Sequence, residues 1–459
     1  LHCILEKEIT MKDTELHYDA VIIGLGKTGL SCVRYLSHKG LSIAVTDSRV
    51  TPPELTSLKK EFPDVPVYLG EISAQVLLLS DQLILSPGVS VEEESVKLAI
   101  EKGIPVMGDV ELFCQEAKAP IIAISGSNGK STVTTLVAEM TQAAGLKTRV
   151  GGNLGTPALE LLQGAVPDVY VLELSSFQLE TTFSLNAHAA AVLNVSPDHM
   201  DRYSTIDNYA EAKKKIYSGN GLMVINQDDG YTKAMIDDTR MIISYSLTKP
   251  SGNNFGVIKE NDTVWLCQGE NKIIKQSELG IKGKHNVANA LAAMALVSSV
   301  NVPELVMVDT LSRFKGLPHR CQWVRTVNKV SWYNDSKATN VGACIASIEG
   351  LCDVGPIILI AGGDSKNADL SSLTQAVRQY VIHVFLLGVD AKRIADVIGT
   401  EVAYEFVDDM DTAVARANEI ATPGDLVLLA PACASLDMYD NYQQRGDVFV
   451  NAVNRLESC

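Results

Sequence analysis

No stretch limits what this 459-residue chain can fold into more than Ile121-Ile-Ala-Ile-Ser-Gly-Ser-Asn-Gly-Lys-Ser-Thr132. Four apolar residues read as a short buried strand. A glycine-containing turn follows, and Gly129-Lys130-Ser131 opens a helical run from Thr132 to Ala144. A strand that turns straight into a helix gathers successive backbone N–H groups at a helix N-terminus, where the dipole favours an anion. Lys130 adds a point charge for outer phosphates, and the Ser131 hydroxyl suits Mg²⁺. Ile124 stands where a Walker loop has its first glycine, so the match is incomplete. The chemistry expected of Gly126, Ser127, Asn128, Gly129, Lys130, Ser131 and Thr132 is nonetheless that of an ATP site.

Length and composition bound the rest. The chain is long enough for about three domains. Its apolar fraction of 46% and charged fraction of 20% are those of an ordinary globular protein. No apolar run approaches membrane-spanning length, so no membrane partner is expected. Nine cysteines without CxxC or other paired metal spacing fit a reducing compartment. The net charge of −16 argues against nucleic acid and requires that a polyanionic substrate meet locally placed Lys, Arg and Mg²⁺. The first residues lack the basic and apolar regions of a secretion signal, so a cytoplasmic location is expected. Residues 1–10 read as dispensable, with Met11 just ahead of the first folded strand.

Taken in order, the chain alternates strands and helices, which predicts an α/β protein with mainly parallel sheets. Tyr18–Ile23 is a strand, Gly24-Leu-Gly26-Lys-Thr-Gly29 turns into a helix, and a second strand ends on Asp47. That is a dinucleotide fingerprint, although the same turn suits any nucleotide diphosphate. A second turn, Ser86-Pro87-Gly88, either closes over the same ligand or is an ordinary loop. Gly108-Asp109 reads as a joint to the unit that carries Lys130. Beyond it, strands lead to Asn153, Glu173 and His199, and parallel sheets place ligands at such carboxyl ends. Glu173 suits a carboxylate that coordinates Mg²⁺ or water, with a paired core acid as the alternative. His199 suits a metal ligand, with a capping role as the alternative. Asn286 and Asn289 stand three apart near the start of a helix and are candidates for adenine contacts, the bland alternative being that Asn286 is a helix N-cap. Gly316-Leu-Pro-His-Arg320 reads as a hinge into a third α/β unit. Its strand ends carry Asn334–Asn340, Gly362–Lys366 and Pro431–Ser435, which together predict a second binding surface.

Several of these stretches together closely resemble the Mur ligases of peptidoglycan synthesis. They are Gly126–Thr132, Gly152-Asn153, Leu172–Gln178, Asp198–Arg202, His285–Asn289, Leu317–Arg320 and Asn334–Asn340. Ser86–Gly88 and Ala432–Asp437 look like the D-glutamate-adding branch of that family. The resemblance runs from about Tyr18 to the C-terminus. It implies three domains: a Rossmann-like domain (residues 1–109, with 1–17 an N-terminal extension) for the UDP substrate, a central P-loop-type ATPase domain (110–317) and a C-terminal Rossmann-like domain (318–459) for the amino acid. It also implies a monomer whose small-molecule substrates are UDP-N-acetylmuramoyl-L-alanine, D-glutamate and ATP, with two Mg²⁺ ions.

Carried over position by position, the resemblance places Gly26, Thr28, Asp47, Ser48, Arg49, Ser86, Pro87 and Gly88 on the uridine side, with Asn153 and His199 towards the muramoyl part or its metal. Asn286, Asn289, Arg320 and Asp335 join the Lys130 loop around ATP. Lys337, Thr339, Lys366, Ser435 and Leu436 hold D-glutamate, with Tyr442 beside them. Ser131, Glu173, His199 and Lys213 serve the metals, and Lys130, His199 and Lys213 are the catalytic set. Ser125, where threonine is common, and Ser365, inside the Gly363–Lys366 turn, depart from the family pattern without removing a needed group.

Lys213 lies in the run Lys213-Lys-Lys215. Ile206, Tyr209, Lys213 and Ile216 follow the spacing of a buried stripe, while Lys215 is expected to pair outward with Glu211. Lys213 alone therefore points inward. A buried lysine readily loses its proton and can then take up CO₂ as a carbamate. The resemblance implies that modification here, making carbamylated Lys213 a ligand of the second metal.

Overall fold

The computed structural model describes residues 17–200 and 202–457. The expectations for residues 1–10 and Met11 lie outside the described residues, as does Asp201. Two compact units result. One contains the described residues up to Ser125 with Lys147–His188 and Glu211–Gly221; the other contains Gly126–Leu146, Ala189–Ala210 and the residues from Leu222 onward.

The first unit begins with a five-stranded parallel sheet, ordered Val67–Leu69, Ile43–Asp47, Ala20–Ile23, Leu83–Leu85, Val106–Met107. The three inner strands are buried at every position, as their unbroken apolar runs require. The chain works outward to one side of Ala20–Ile23 and then returns to the other, so the switch point lies between Ala20–Ile23 and Leu83–Leu85. The turns that follow these two strands are Gly24–Gly29 and Ser86–Gly88. Ser86 Oγ donates to the Gly24 carbonyl at 2.8 Å, so the second turn lies against the first. Gly29 has to be glycine: a Cβ there would stand 2.0 Å from the Gly24 carbonyl oxygen. The same unit holds three further parallel strands, in the order Ile121–Ser125, Val169–Glu173, Thr148–Gly152.

The second unit holds six adjacent strands, from Asn271–Lys275 through Thr263–Gln268, Phe255–Glu260, Ile242–Tyr245 and Leu222–Asn226 to Ala189–Val192. Only the pairings among the first three are antiparallel. Its other sheet has the order Gln322–Val327, Val330–Asn334, Leu426–Leu429, Ile357–Gly362, Val381–Leu387, Ala403–Phe406. Here alternation along single strands builds two cores. Ile357, Leu359, Leu426 and Leu428 join Cys344, Ile348 and Leu351 of the Val341–Leu351 helix. Ile358, Ile360, Val427 and Leu429 join Met410, Val414 and Phe449 from two other helices. The sheet is therefore covered on both faces. The strands that carry the three polar clusters are direct neighbours: Val330–Asn334 and Ile357–Gly362 flank Leu426–Leu429, all parallel.

The joint expected at Gly108-Asp109 is the start of the Asp109–Glu116 helix. Asp109 is fully buried and neither carboxylate oxygen meets a partner at hydrogen-bonding geometry. Burial pushes its carboxyl up to about 6, and the nearby Gln178 amide and helix-start N–H groups offset only part of that penalty. The folded protein holds this proton more tightly than the unfolded chain does, so the group's contribution to stability is full at low pH and is lost as pH rises through about 6. Asp109→Asn should therefore raise the melting midpoint at pH 7.5. The gain should be equivalent to about 2–3 kcal/mol, since each tenfold change in proton affinity is worth about 1.4 kcal/mol. It should vanish near pH 4. Thermal denaturation at both pH values measures it, and a variant no more stable at pH 7.5 refutes it.

Candidate active site

The Lys130–Ala143 helix starts from Gly129 in the left-handed region at φ 84°, and Gly126 has φ 149°. Two glycines in conformations that side chains avoid let the turn fold beneath the helix N-terminus. Neighbouring residues hold the turn. Asn128 N–H donates to Asn194 Oδ1 at 2.8 Å, and Asn194 Nδ2 returns a bond to the Asn128 carbonyl at 3.1 Å. Ser127 N–H donates to the Asn194 carbonyl at 2.9 Å, and Ser127 Oγ to the Ser196 carbonyl at 3.0 Å. Lys130 Nζ lies over the turn, donating to the Gly126 and Ser127 carbonyls at 2.8 and 3.0 Å. Arg320 Nη2 donates to Ser131 Oγ at 2.7 Å, which brings two predicted ATP residues together across 189 sequence positions.

A cavity of about 330 Å³ opens beside this turn. Asn128, Gly129 and Thr132 line it together with Asn286, Asn289, Arg320, Asp335 and Lys337. Asn286 and Asn289 are both buried and joined by a 3.1 Å bond from Asn289 Nδ2 to Asn286 Oδ1. The cap of the Lys284–Ser298 helix is Gly283, so the N-cap alternative for Asn286 is wrong; Asn286 is the third residue of the helix. Asp335 is buried, and burial pushes its carboxyl up to about 6 against the opposing effects of the Ser347 hydroxyl, the Cys321 N–H and the Arg320 charge. His285, also on the cavity wall, is driven down to about 4 by burial. Its imidazole is therefore neutral at physiological pH. A neutral amide and imidazole wall on one side and a cationic phosphate turn on the other suit a base joined to a phosphate chain.

The three clusters of the C-terminal sheet meet around one side chain that sequence reasoning missed. Arg445, only 2% exposed, donates to the Ser336, Cys433 and Ala434 carbonyls at 2.9, 3.1 and 3.2 Å and to the Gly362 carbonyl at 3.4 Å. It also donates to Ser336 Oγ at 3.0 Å. One guanidinium thus ties the ends of three adjacent strands. Its sequence signal was slight: a lone arginine on the buried face of the Tyr442–Asn454 helix, beside Gly446 and Phe449. Lys337 Nζ lies 4.3 Å from the Tyr442 ring centroid. Ser435 is buried, whereas Lys366 and Leu436 are exposed. Ten described non-glycine residues have positive φ; Asn261, Asn301, Asn328 and Lys329 sit in ordinary turns, but His199, His319, Cys321, Lys366, Asn367 and Ala432 lie in the loops that carry predicted site residues. Backbone strain of that kind concentrates at functional loops.

In the first unit, Asp47 accepts from Leu25 N–H at 2.7 Å and from the Arg49 guanidinium at 2.7 and 2.8 Å. Burial pushes the Asp47 carboxyl up, but the Arg49 guanidinium and the Leu25 and Arg49 N–H groups outweigh it and hold the carboxyl below its ordinary value. Glu173 is buried at the end of its strand; Oε1 accepts from Asn153 Nδ2 at 2.7 Å, and Oε2 meets no partner among the described residues. An orphaned carboxylate oxygen of this kind fits a cation ligand. Among the described residues no group of three His, Cys, Asp or Glu side chains gathers as a metal cluster, and the predicted ligand set contains only two of those types. Lys213 is 1% exposed, while Lys214 and Lys215 are exposed, as the helix phase predicted. The expected Lys215–Glu211 pair is wrong. The helix ends at Lys214 and a 3₁₀ turn takes over, so Lys214 pairs with Glu211 at 3.8 Å and Lys215 donates to the Glu180 carbonyl at 2.8 Å. Among the described residues no helix is long and apolar enough to cross a membrane.

Three family models match successive parts of the chain: the Mur ligase MurD-like N-terminal domain at residues 18–108, the Mur ligase middle domain at 124–297 and the Mur ligase glutamate ligase domain at 319–433. The chain is 50% identical over 438 residues to a protein of Pseudomonas aeruginosa named UDP-N-acetylmuramoylalanine--D-glutamate ligase, covering 95% of this chain and 98% of that one. A protein of the same name from Nitrosococcus oceani is 49% identical over 440 residues, covering 96% and 97%. Among solved structures, UDP-N-acetylmuramate-alanine ligase of Thermotoga maritima aligns with a TM-score of 0.59 at 18% identity, covering 95% of this chain and 99% of that one. MurF of Acinetobacter baumannii aligns with the same score, 0.59, at 17% identity over 83% and 87%. These two share the fold, three α/β domains with mostly parallel sheets.

Gly129 is the residue on which the turn is most exposed to test. A Cβ there would stand 2.4 Å from Asn289 Oδ1, and the left-handed backbone costs a side chain about 1–2 kcal/mol. Gly129→Ala should weaken nucleotide binding by at least about tenfold, since turn and asparagine must both shift, with the far-UV circular dichroism unchanged. Nucleotide titration by calorimetry measures this; wild-type affinity would show that the turn is not a binding element.

Proposed function

Because the chain belongs to the Mur ligase family, we propose that it joins UDP-N-acetylmuramoyl-L-alanine to D-glutamate, coupled to cleavage of ATP into ADP and phosphate. The observation that carries this is the near-50% identity, along almost the whole chain, to relatives named for that reaction. The alanyl carboxylate attacks the γ-phosphorus and displaces ADP, giving an acyl phosphate. The amine of D-glutamate adds to that carbonyl, and the tetrahedral intermediate collapses to the amide with loss of phosphate. No covalent bond to the protein is needed, so the chain's work is positioning and charge stabilisation.

The Gly126–Thr132 turn with Lys130 receives the phosphates of ATP, while Asn286, Asn289, Arg320 and Asp335 hold the rest of the nucleotide. Lys337, Thr339, Lys366, Ser435, Leu436 and Tyr442 take D-glutamate, whose two carboxylates need more than one cation or fixed dipole. The Gly24–Gly29 and Ser86–Gly88 turns, with Asp47, Ser48 and Arg49, take the uridine side, and Asn153 the muramoyl side. Residues 1–109, 110–317 and 318–459 are the corresponding domains. Ser131, Glu173, His199 and Lys213 would hold two Mg²⁺ ions, which would supply charge neutralisation for the phosphates. The chain works as a monomer in the cytoplasm, on small molecules and not on nucleic acid or membrane. Phosphate release should require ATP, UDP-N-acetylmuramoyl-L-alanine and D-glutamate together. Equal rates with L-glutamate, or none with either, would sink the assignment.

Lys213 serves as a carbamate: its neutral amine takes up CO₂, forms an N–C bond and releases a proton, leaving a carboxylate-like ligand for the second ion. Its burial, beside the exposed Lys214 and Lys215, supports this reading. Lys213→Ala should lose nearly all turnover and regain part of it with added short carboxylic acids, whereas Lys214→Ala should stay close to wild type. The reverse pattern in steady-state assays would refute the carbamate.

A further inference from the structure

Asn340 makes two side-chain hydrogen bonds with different consequences. Its Oδ1 accepts from Ala343 N–H at 2.8 Å and caps the Val341–Leu351 helix. Its Nδ2 donates to Asp198 Oδ2 at 3.1 Å, across 142 sequence positions. The helix start is pressed against the same loop, because a Cβ on Gly342 would stand 3.1 Å from Ser196 Oγ.

Both partners lead to chemistry. Ser196 N–H donates to Ser127 Oγ at 3.0 Å, and its carbonyl accepts from that same hydroxyl, so Ser196 props the phosphate turn. Asp198 Oδ1 accepts from His199 N–H at 3.0 Å, and Oδ2 lies 3.8 Å from His199 Nε2. Asn340 is the last residue of the cluster that carries Lys337 and Thr339. Its amide therefore fastens that cluster to the loop which bears His199 and supports Ser127. A bond from an amide to a carboxylate is charge-assisted and stronger than a neutral one.

We propose that Asn340 is a positioning residue for ligation. Through Asp198 it fixes the amino-acid loop against the phosphate loop, so that the incoming amine is presented to the acyl carbonyl. This rests on the ligase reading above.

A cap and a latch are separable by substitution. Asn340→Asp keeps the cap, since aspartate caps as well as asparagine, but sets a second carboxylate against Asp198. Asp198→Asn combined with Asn340→Asp restores the bond with its polarity reversed, because the amide now donates from position 198. Asn340→Ser is a control that caps but cannot reach Asp198.

N340D and N340S should each raise the KM for D-glutamate at least about tenfold, the scale of one lost bond to a charged group. The KM for ATP should change less than about twofold, and the melting midpoint should stay at the wild-type value. The D198N/N340D pair should recover at least about threefold of the loss in N340D, a coupling that independent sites would not show. Wild-type KM in both single variants, or a pair no better than N340D alone, overturns the latch. A drop in melting midpoint with KM values for ATP and D-glutamate moving equally makes Asn340 a cap only and also overturns it. Wild-type protein without D-glutamate-dependent turnover overturns the assigned reaction itself, whereas turnover with an unaltered N340D overturns the latch alone.

Discussion

The phosphate turn depends on polar groups that it does not own. Between Gly126 and Lys130 the backbone follows neither strand nor helix, so its N–H and carbonyl groups need partners from elsewhere. Asn194 answers Asn128 in both directions, and Ser196 and Ser127 do the same. Asn289 closes against Gly129 from the Lys284–Ser298 helix. A buried donor left unmet costs about 1–3 kcal/mol, so each of these contacts keeps the turn from relaxing. The loop after Ala189–Val192 and one helix face thus fix where Lys130 starts and where an anion can sit.

What the sequence made legible was whatever repeats with a period or punctuates it. The inner strands of the first sheet read as unbroken apolar runs because both faces are buried, and the glycine turns announced themselves. Lys213 was separated from its neighbours by helix phase alone, since a fixed rotation of about 100° per residue leaves little freedom. The same logic failed two residues later. Glu211 and Lys215 would face each other on a continuing α-helix, but the backbone tightens to 3₁₀ after Lys214, and nothing in Lys-Lys-Ile-Tyr signals that change. The Ser86–Gly88 turn was ambiguous for a different reason: its partner, the Gly24 carbonyl, is set by strand order, which one-dimensional spacing does not carry.

Arg445 was invisible as part of a site, and the cross-loop bond of Asn340 was invisible within its cluster, for a related reason. Both act through main chain or through side chains more than a hundred positions away, and local sequence carries no sign of such partners. The strained residues were equally hidden. Ala432 and Lys366 adopt positive φ although neither residue type prefers it, so the surrounding sheet imposes the conformation. Fold class and the phosphate turn were therefore readable, while the second layer of support came only with the three-dimensional arrangement.

The way Arg445 is used has a consequence for how this sheet edge can change over generations. Four of its five contacts are main-chain carbonyls, and every residue type carries one of those. Substitutions in the Asn334–Asn340, Gly362–Lys366 and Pro431–Ser435 loops can thus alter which amino-acid shape is welcomed without loosening the anchor beneath. Insertions and deletions cannot, because they move the carbonyls themselves. Variation at this edge is consequently steered towards exchange of side chains at constant loop length.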